Sequence, residues 1–245
     1  MIPDDAVVLA GELQRHVLDR AMEDGELERL RRGAYRVREA PRDEHPSRGA
    51  RRRAEAVARA AHRQLAADHV FSHETAAALH SLRLWRAPVA THVVQTYRRS
   101  GRAADDLRRH LLALPPEHRE VRDGLPVTTL ARTVADCARS MHPLEALVLA
   151  DDAVARGLDT EECRAALATT RRRNGSRRAA WVLDHADGGS DSAWETWLRY
   201  VALRSGLPRP ITQAPITTAR GALAAGFPEA LRRRLRTHPL LPPPP

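Results

Sequence analysis

With 245 residues, 42% of them apolar, the chain can bury a core, but an aromatic share of 4% means that core must be built from Leu, Val and Ala. Forty basic residues against thirty-one acidic ones give a net charge of +9 and an isoelectric point near 11.0, the balance of a protein that meets a polyanion. No run approaches the roughly 20 apolar residues that cross a bilayer, and the opening MIPDDAVVLAGEL carries acids rather than a basic leader, so neither a membrane span nor a secretory signal is expected and the cytoplasm is the expected compartment.

At the N-terminus, Leu9, Leu13, Val17 and Ala21 recur every four residues. They predict a helix with one apolar stripe, Arg15 and Arg20 outside it, and a stop at Gly25. Leu27 and Leu30 then precede Arg31-Arg32-Gly33, and Ala34, Tyr35 and Val37 follow, which predicts two short strands joined at a glycine able to take positive φ. A short helix running into an arginine-bearing hairpin is the order of recognition helix and wing in a winged helix-turn-helix; an ordinary surface hairpin is the alternative. Between positions 29 and 63 stand twelve arginines against Glu39, Asp43, Glu44 and Glu55, and a segment from about Arg48 to Leu65 reads as a basic helix. On this reading Arg29, Arg31, Arg32 and Arg36 of the wing, with Arg51, Arg52 and Arg53 of the helix, anchor phosphates. Base readout falls to Arg15, His16, Asp19 and Arg20. Every basic residue is arginine, as strong G+C bias in the gene would produce.

Past Asp68 the pattern changes. Ser72 is placed to cap a short helix ending near Leu82, Val89 to Thr96 alternates as a strand, and the polar interval from Arg98 to His118 is broken by Pro115-Pro116. Asp123-Gly124 centres a hairpin from Glu120 to Val127. Thr128 or Thr129 begins a helix over ARTVADCA, Leu144 to Arg156 forms another closed by Gly157, and Asp159 with Glu162 has capping-box spacing for a third through Arg173. Arg132 and Asp136, four apart, are expected to pair on or just under a helix surface. His69, His73 and His80 straddle a strand-to-helix break, so they are not expected to share one metal-binding face. Cys137 and Cys163 lack metal-site spacing and read as reduced core thiols. Arg171 to Arg178 is a second basic patch, either a further part of a DNA footprint or a solvated linker.

Three strings in order, LRRGAYRV, SHETAAALHSL from Ser72 to Leu82, and LPVTTLARTVADCAR from Leu125 to Arg139, resemble actinobacterial proteins with an AbiEi-type antitoxin N-terminal domain. The resemblance spans roughly residues 5 to 157 and implies a transcriptional regulator of type IV toxin-antitoxin operons that binds promoter DNA, with a nearby toxin and a second copy of the chain as further partners. Many such proteins continue into a domain resembling Vsr-like nucleases of the restriction-endonuclease fold. DSAWETWLRYVALRSGLPRP, Asp191 to Pro210, is similar to the start of that domain, with Glu195 at the family's helix carboxylate.

A Mg²⁺-dependent nuclease needs further carboxylates and usually a lysine. Here the only acidic residue after Glu195 is Glu229, the chain has no lysine, ARGALAAGFPEA offers Ala224 and Ala225, and the sequence closes on LRRRLRTHPLLPPPP, as a truncated or frame-shifted gene would. Glu195 has a structural role to hand, because Ser192 three residues earlier makes a capping box, with Trp194, Trp197, Leu198, Val201 and Ala202 as the helix's apolar face. The expected fold is α+β. It divides into a winged helix-turn-helix over 1–45, a basic linker helix over 46–67, an α/β middle domain over 68–157, a helical connector over 158–187, an endonuclease-like remnant over 188–221, and a Pro-rich, disordered tail over 222–245. The expected function is DNA-binding regulation with no enzyme activity, no cofactor and no metal. The alternatives are a Mg²⁺-dependent endonuclease using Glu195 and a protein-interaction module.

Overall fold

The computed structural model describes residues 7–38, 45–97, 106–169 and 174–213, together with two-residue strands at 216–217 and 223–224. Among these residues the chain is mixed α and β, with eight α-helices and three sheets. It begins with β1 (Val7–Leu9), one 3-10 turn at Ala10–Glu12 and α1 (Arg15–Glu23). The single helix predicted from the Leu9, Leu13, Val17, Ala21 stripe does not form. Leu9 is in the strand, Leu13 and Gln14 are extended, Val17 is exposed, and the buried residue of α1 is Leu18. The break has a local cause: the Leu9 N–H donates to the Glu12 carboxylate at 2.8 Å, closing the turn, and Arg63 holds the same carboxylate from the other side.

The predicted hairpin is present as β2 (Leu27–Arg31) and β3 (Ala34–Val37), turning at Gly33 with φ 73°, a conformation that a Cβ would disfavour. β1 pairs with β3, giving the antiparallel order β1-β3-β2.

α2 (Pro46–Gln64) opens on a proline, and the His45 ring accepts the Ser47 N–H. The predicted basic helix is therefore there, but it is not a linker. Ala56 and Ala60 pack with Val7, Leu30 and Ala34 of the N-terminal sheet, whereas Ala58 and Ala61 pack with Phe71, Ala76, Leu79 and Val93. At about 100° per residue these two pairs lie on opposite sides of the helix. Methyl side chains let both sheets approach its backbone closely.

The second unit is a five-stranded mixed sheet of β4 (Val70–Phe71), β5 (Thr91–Gln95), β6 (Leu107–Leu111), β7 (Arg119–Arg122) and β8 (Leu125–Thr128), in the order β6-β5-β4-β8-β7. The strand predicted from Val89 to Thr96 forms over Thr91–Gln95, and the hairpin at Asp123-Gly124 forms with positive φ at both turn residues as a type I′ turn requires. β6 lies inside the interval expected to be irregular. Two arginines and a histidine in five residues hid it, and an edge strand tolerates such residues because its outer side faces water. α3 (His73–Leu79) follows β4; Ser72 stands at its cap position, but its hydroxyl meets the His73 ring instead of a backbone N–H.

Five helices complete the described fold: α4 (Leu130–Ser140), α5 (Pro143–Ala155), α6 (Thr160–Ala168), α7 (Ser176–His185) and α8 (Ala193–Arg204). α6 ends at Ala168, short of the expected Arg173, which lies with Arg171 and Arg172 outside the described residues. One apolar cluster runs from Ala77 through Leu147 and Cys163 to Leu183. The expected boundary at 157 cuts through it, so α6 and α7 are part of a core and not a connector. Cys137 and Cys163 are free and buried there; burial raises both thiols well above their ordinary value, Cys163 to about 12, so neither is a nucleophile. β9 (Ile216–Thr217) pairs with β10 (Leu223–Ala224), which puts the expected 221/222 division inside a strand pair. The proline run and Glu229 lie outside the described residues.

Charge is buried among these helices. Arg132 and Asp136 pair at 2.8 Å as expected, but with both side chains 1% exposed they lie deeper than the surface or partly buried pair that the spacing predicts. Asp151 of α5 accepts from Arg199, from Thr196 Oγ1 at 2.7 Å and from the Asp187 N–H at 2.8 Å. Desolvation outweighs these partners and holds the Asp151 carboxyl above its ordinary range. The same network rotates α8 partway: Trp197 is buried as expected, but Thr196 and Arg199 are buried beside it, while Trp194 and Val201, expected on the same apolar face, are exposed.

Because α2 has no room on either side, Ala60→Leu is expected to destabilise the chain by about 1–3 kcal/mol. A lower urea midpoint checks this, and an unchanged midpoint would show that the contact with the N-terminal sheet is loose.

Candidate functional site

The hairpin is clamped onto α2. Arg53 donates to the Arg29 carbonyl at 3.0 Å and to Glu28 at 3.3 Å, Gln64 donates to the Arg32 carbonyl at 3.0 Å, and Arg63 donates to the Val7 carbonyl. These bonds fix the strand backbones and leave the Arg29 and Arg32 side chains exposed. Two of the other predicted phosphate contacts are engaged internally. Arg31, its side chain 7% exposed, grips Asp106 with two bonds of 3.0 and 3.2 Å, and Arg36 pairs with Glu28. The Arg31 hydrogen bond in turn holds the Asp106 carboxyl below its ordinary range.

On α1, Arg15, His16, Asp19 and Arg20 are exposed; Arg15 lies 3.8 Å from Asp19 and Arg20 3.5 Å from Asp24, contacts worth little in water. Arg51 and Arg52 of α2 are half-buried, and Arg53 is exposed at one edge of its bonds to the hairpin.

Glu195 is part of a cap. Its backbone N–H donates to Ser192 Oγ at 3.3 Å, and its carboxylate accepts from the Asp191 N–H at 2.9 Å and from the Ser192 hydroxyl at 3.2 Å. The expected reciprocal box is thus shifted by one residue, to the N–H preceding the cap.

A second constellation lies where α3 meets β5 and β6. These strands are parallel, with Val94 opposite His110, so His92 and His110 stand on one face of the sheet. His73, at the start of α3 with φ 52°, stacks on His110 with ring centroids 3.8 Å apart. His92 Nδ1 is 3.0 Å from His110 Nε2, and His92 Nε2 is 3.1 Å from the Glu74 carboxylate. Burial, then the neighbouring His110 and His92, then Arg139 and Arg132, depress the His73 pKa, so this ring is neutral.

His73 and His110 line a cavity of about 520 Å³ with Arg139, Ser140, Asn174, Gly175 and Arg178. Gly175 is required there, because a Cβ would lie 2.2 Å from the Arg139 carbonyl. Arg178 bonds the Ser140 and Met141 carbonyls at the end of α4. The histidines considered from sequence do not converge: His69 meets His62 at 3.0 Å, and His80 donates to the Thr128 carbonyl at 2.7 Å. Only His73 belongs to the cluster. Placing its partners required recognising β6.

No protein-family model matches the chain, and no curated protein matches it. Among solved structures, the crystal structure of RV2827C protein from Mycobacterium tuberculosis is similar to this chain at 15% identity with a TM-score of 0.46, over 86% of this chain and 79% of that chain.

The depressed Asp106 carboxyl makes the hairpin's attachment acid-sensitive. Its stabilising contribution is complete above the unfolded value of about 3.9 and is lost as pH falls through the lower folded value. Wild type is therefore expected to exceed Asp106→Asn in stability at pH 6, with the two converging toward pH of about 2. Denaturation across that range checks it, and a pH-independent difference would contradict the pairing.

Proposed function

We propose that the N-terminal unit binds duplex DNA and that the protein is a regulator of the antitoxin kind. The observation that carries this reading is the hairpin held on α2 with Arg29 and Arg32 exposed, beside a helix bearing Arg48, Arg51, Arg52, Arg53, Arg59 and Arg63 against the single acid Glu55. Exposed arginines on a backbone already fixed suit phosphate contact, since the hairpin itself does not have to be ordered on binding. α1 stands beside the hairpin with Arg15, His16, Asp19 and Arg20 in solvent, available to base edges in a major groove. Arg31 and Arg36 leave the proposed contact set and become supports of the hairpin. A toxin and a second copy of the chain remain partners proposed on the family resemblance. The endonuclease reading finds no favouring observation, as the Glu195 carboxylate is committed to the cap of α8.

Full-length chain is the right material for a test, because a fragment ending at residue 67 would bare the Ala58 and Ala61 face of α2. Titration of duplex DNA at several salt concentrations is expected to give a log–log slope of several units, about 0.9 for each phosphate neutralised. Arg29→Ala with Arg32→Ala should lower that slope by about two and weaken all sequences alike, whereas Arg31→Ala should lower the melting temperature. Binding that ignores salt, or a double variant that binds as wild type, defeats the proposal.

A further inference from the structure

We propose that His73, His92 and His110 form a binding site for a transition-metal ion of the zinc class, with its remaining coordination position open to the cavity bounded by Arg139 and Arg178. One nitrogen from each ring lies within 4.8 Å of the other two, and among the described residues this is the one group of three or more His, Cys, Asp or Glu side chains so placed. Imidazole donors select Zn²⁺, Co²⁺, Ni²⁺ or Cu²⁺ over Mg²⁺ and Ca²⁺, which prefer oxygen. Three protein nitrogens and one open position make the ligand count of a reactive zinc centre, where a structural one uses four protein ligands.

The surroundings have the organisation such a site needs. The Glu74 carboxylate, 3.1 Å from His92 Nε2, favours the proton on that nitrogen, which leaves His92 Nδ1 with its lone pair toward the cluster. Ser72 Oγ is 3.0 Å from His73 Nδ1, so Nε2 is the nitrogen of that ring left to ligate. In the metal-free arrangement His110 Nε2–H donates to His92 Nδ1. Metal entry replaces that hydrogen bond: His110 changes tautomer, Nε2 giving up its proton as Nδ1 takes one from solvent, so the ring stays neutral and His110 Nε2 and His92 Nδ1 both become ligands. Bonds of about 2.0–2.1 Å require the stacked His73 and His110 rings to rotate until their nitrogens converge. The bound ion would carry two positive charges beside two guanidinium groups, so the open position is suited to hydroxide or a small anion rather than to a cation.

The test uses the full chain, stripped with chelator and titrated with Co²⁺ alone, then displaced with Zn²⁺. One Co²⁺ per chain with the visible absorption of a four-coordinate site is expected. His92→Ala and His110→Ala should each weaken binding by at least about 100-fold, and Glu74→Gln by about 10–100-fold with a native circular dichroism spectrum. Zn²⁺ should raise the melting temperature of wild type and not of His110→Ala. Wild-type protein that takes up no stoichiometric Co²⁺ or Zn²⁺ overturns the proposal irrespective of how the variants fold, as does binding that survives in both histidine variants.

Discussion

The rest of the structure depends on the contact of α2 with two cores at once. Its alanines at 56 and 60 close the small N-terminal sheet, and those at 58 and 61 close one side of the five-stranded sheet. A three-stranded sheet with strands of three to five residues has little core of its own, and a helix supplied from outside gives it one. The same helix carries the arginines of the proposed DNA face, so the surface proposed to meet phosphates is held by the packing that holds the fold. Bulkier side chains at 56 and 60 would separate the hairpin from its support, and at 58 and 61 would part the helix from the five-stranded unit.

An all-arginine complement has consequences beyond net charge. The planar guanidinium group makes two or three directed bonds at once, and several arginines here are structural: Arg31 on Asp106, Arg53 across Glu28 and the Arg29 carbonyl, Arg178 on the end of α4, Arg199 on Asp151. Basic residues close together in sequence are thereby divided between two tasks. Arg31 and Arg32 are adjacent, yet one is a buried strut and the other faces water. Buried pairs such as Arg132–Asp136 are weak contributors to net stability but costly to break singly, because the surviving partner is left charged and dry.

Much of the fold was legible because local chemistry agreed with it. The 27–37 hairpin, the Asp123-Gly124 turn, the strand at 91–95, the basic helix and the helices from 130 to 168 all follow from period and turn residues. What could not be read depended on contacts distant in sequence. The 9–21 stripe suited a helix until Leu9 was claimed by pairing with Ala34, and α8 buries Thr196 and Arg199 beside the expected Trp197 because Asp151 lies beneath it. The domain divisions failed for a similar reason, since Cys163 and Val182 belong to a core begun by Ala77. The histidine cluster was the least accessible feature. His73, His92 and His110 come from a helix and two strands, one of them an arginine-bearing edge strand; strand register sets His92 beside His110, and the packing of α3 on the sheet adds His73.

Two surfaces are thus proposed to bind ligands: an arginine face organised by α2 and a histidine-lined cavity between α3, the β5–β6 strands and the α4–α7 contact. As proposed, the first takes an extended polyanion and the second a metal ion with a small anion. Amide hydrogen exchange of the full chain, with and without duplex DNA at low salt, discriminates between them directly. The account predicts slowed exchange across 15–37 and the first half of α2, with 72–82 and 174–185 unchanged. Protection confined to the cavity or to the helices from α4 to α8, with the hairpin exchanging as in the free protein, would contradict it.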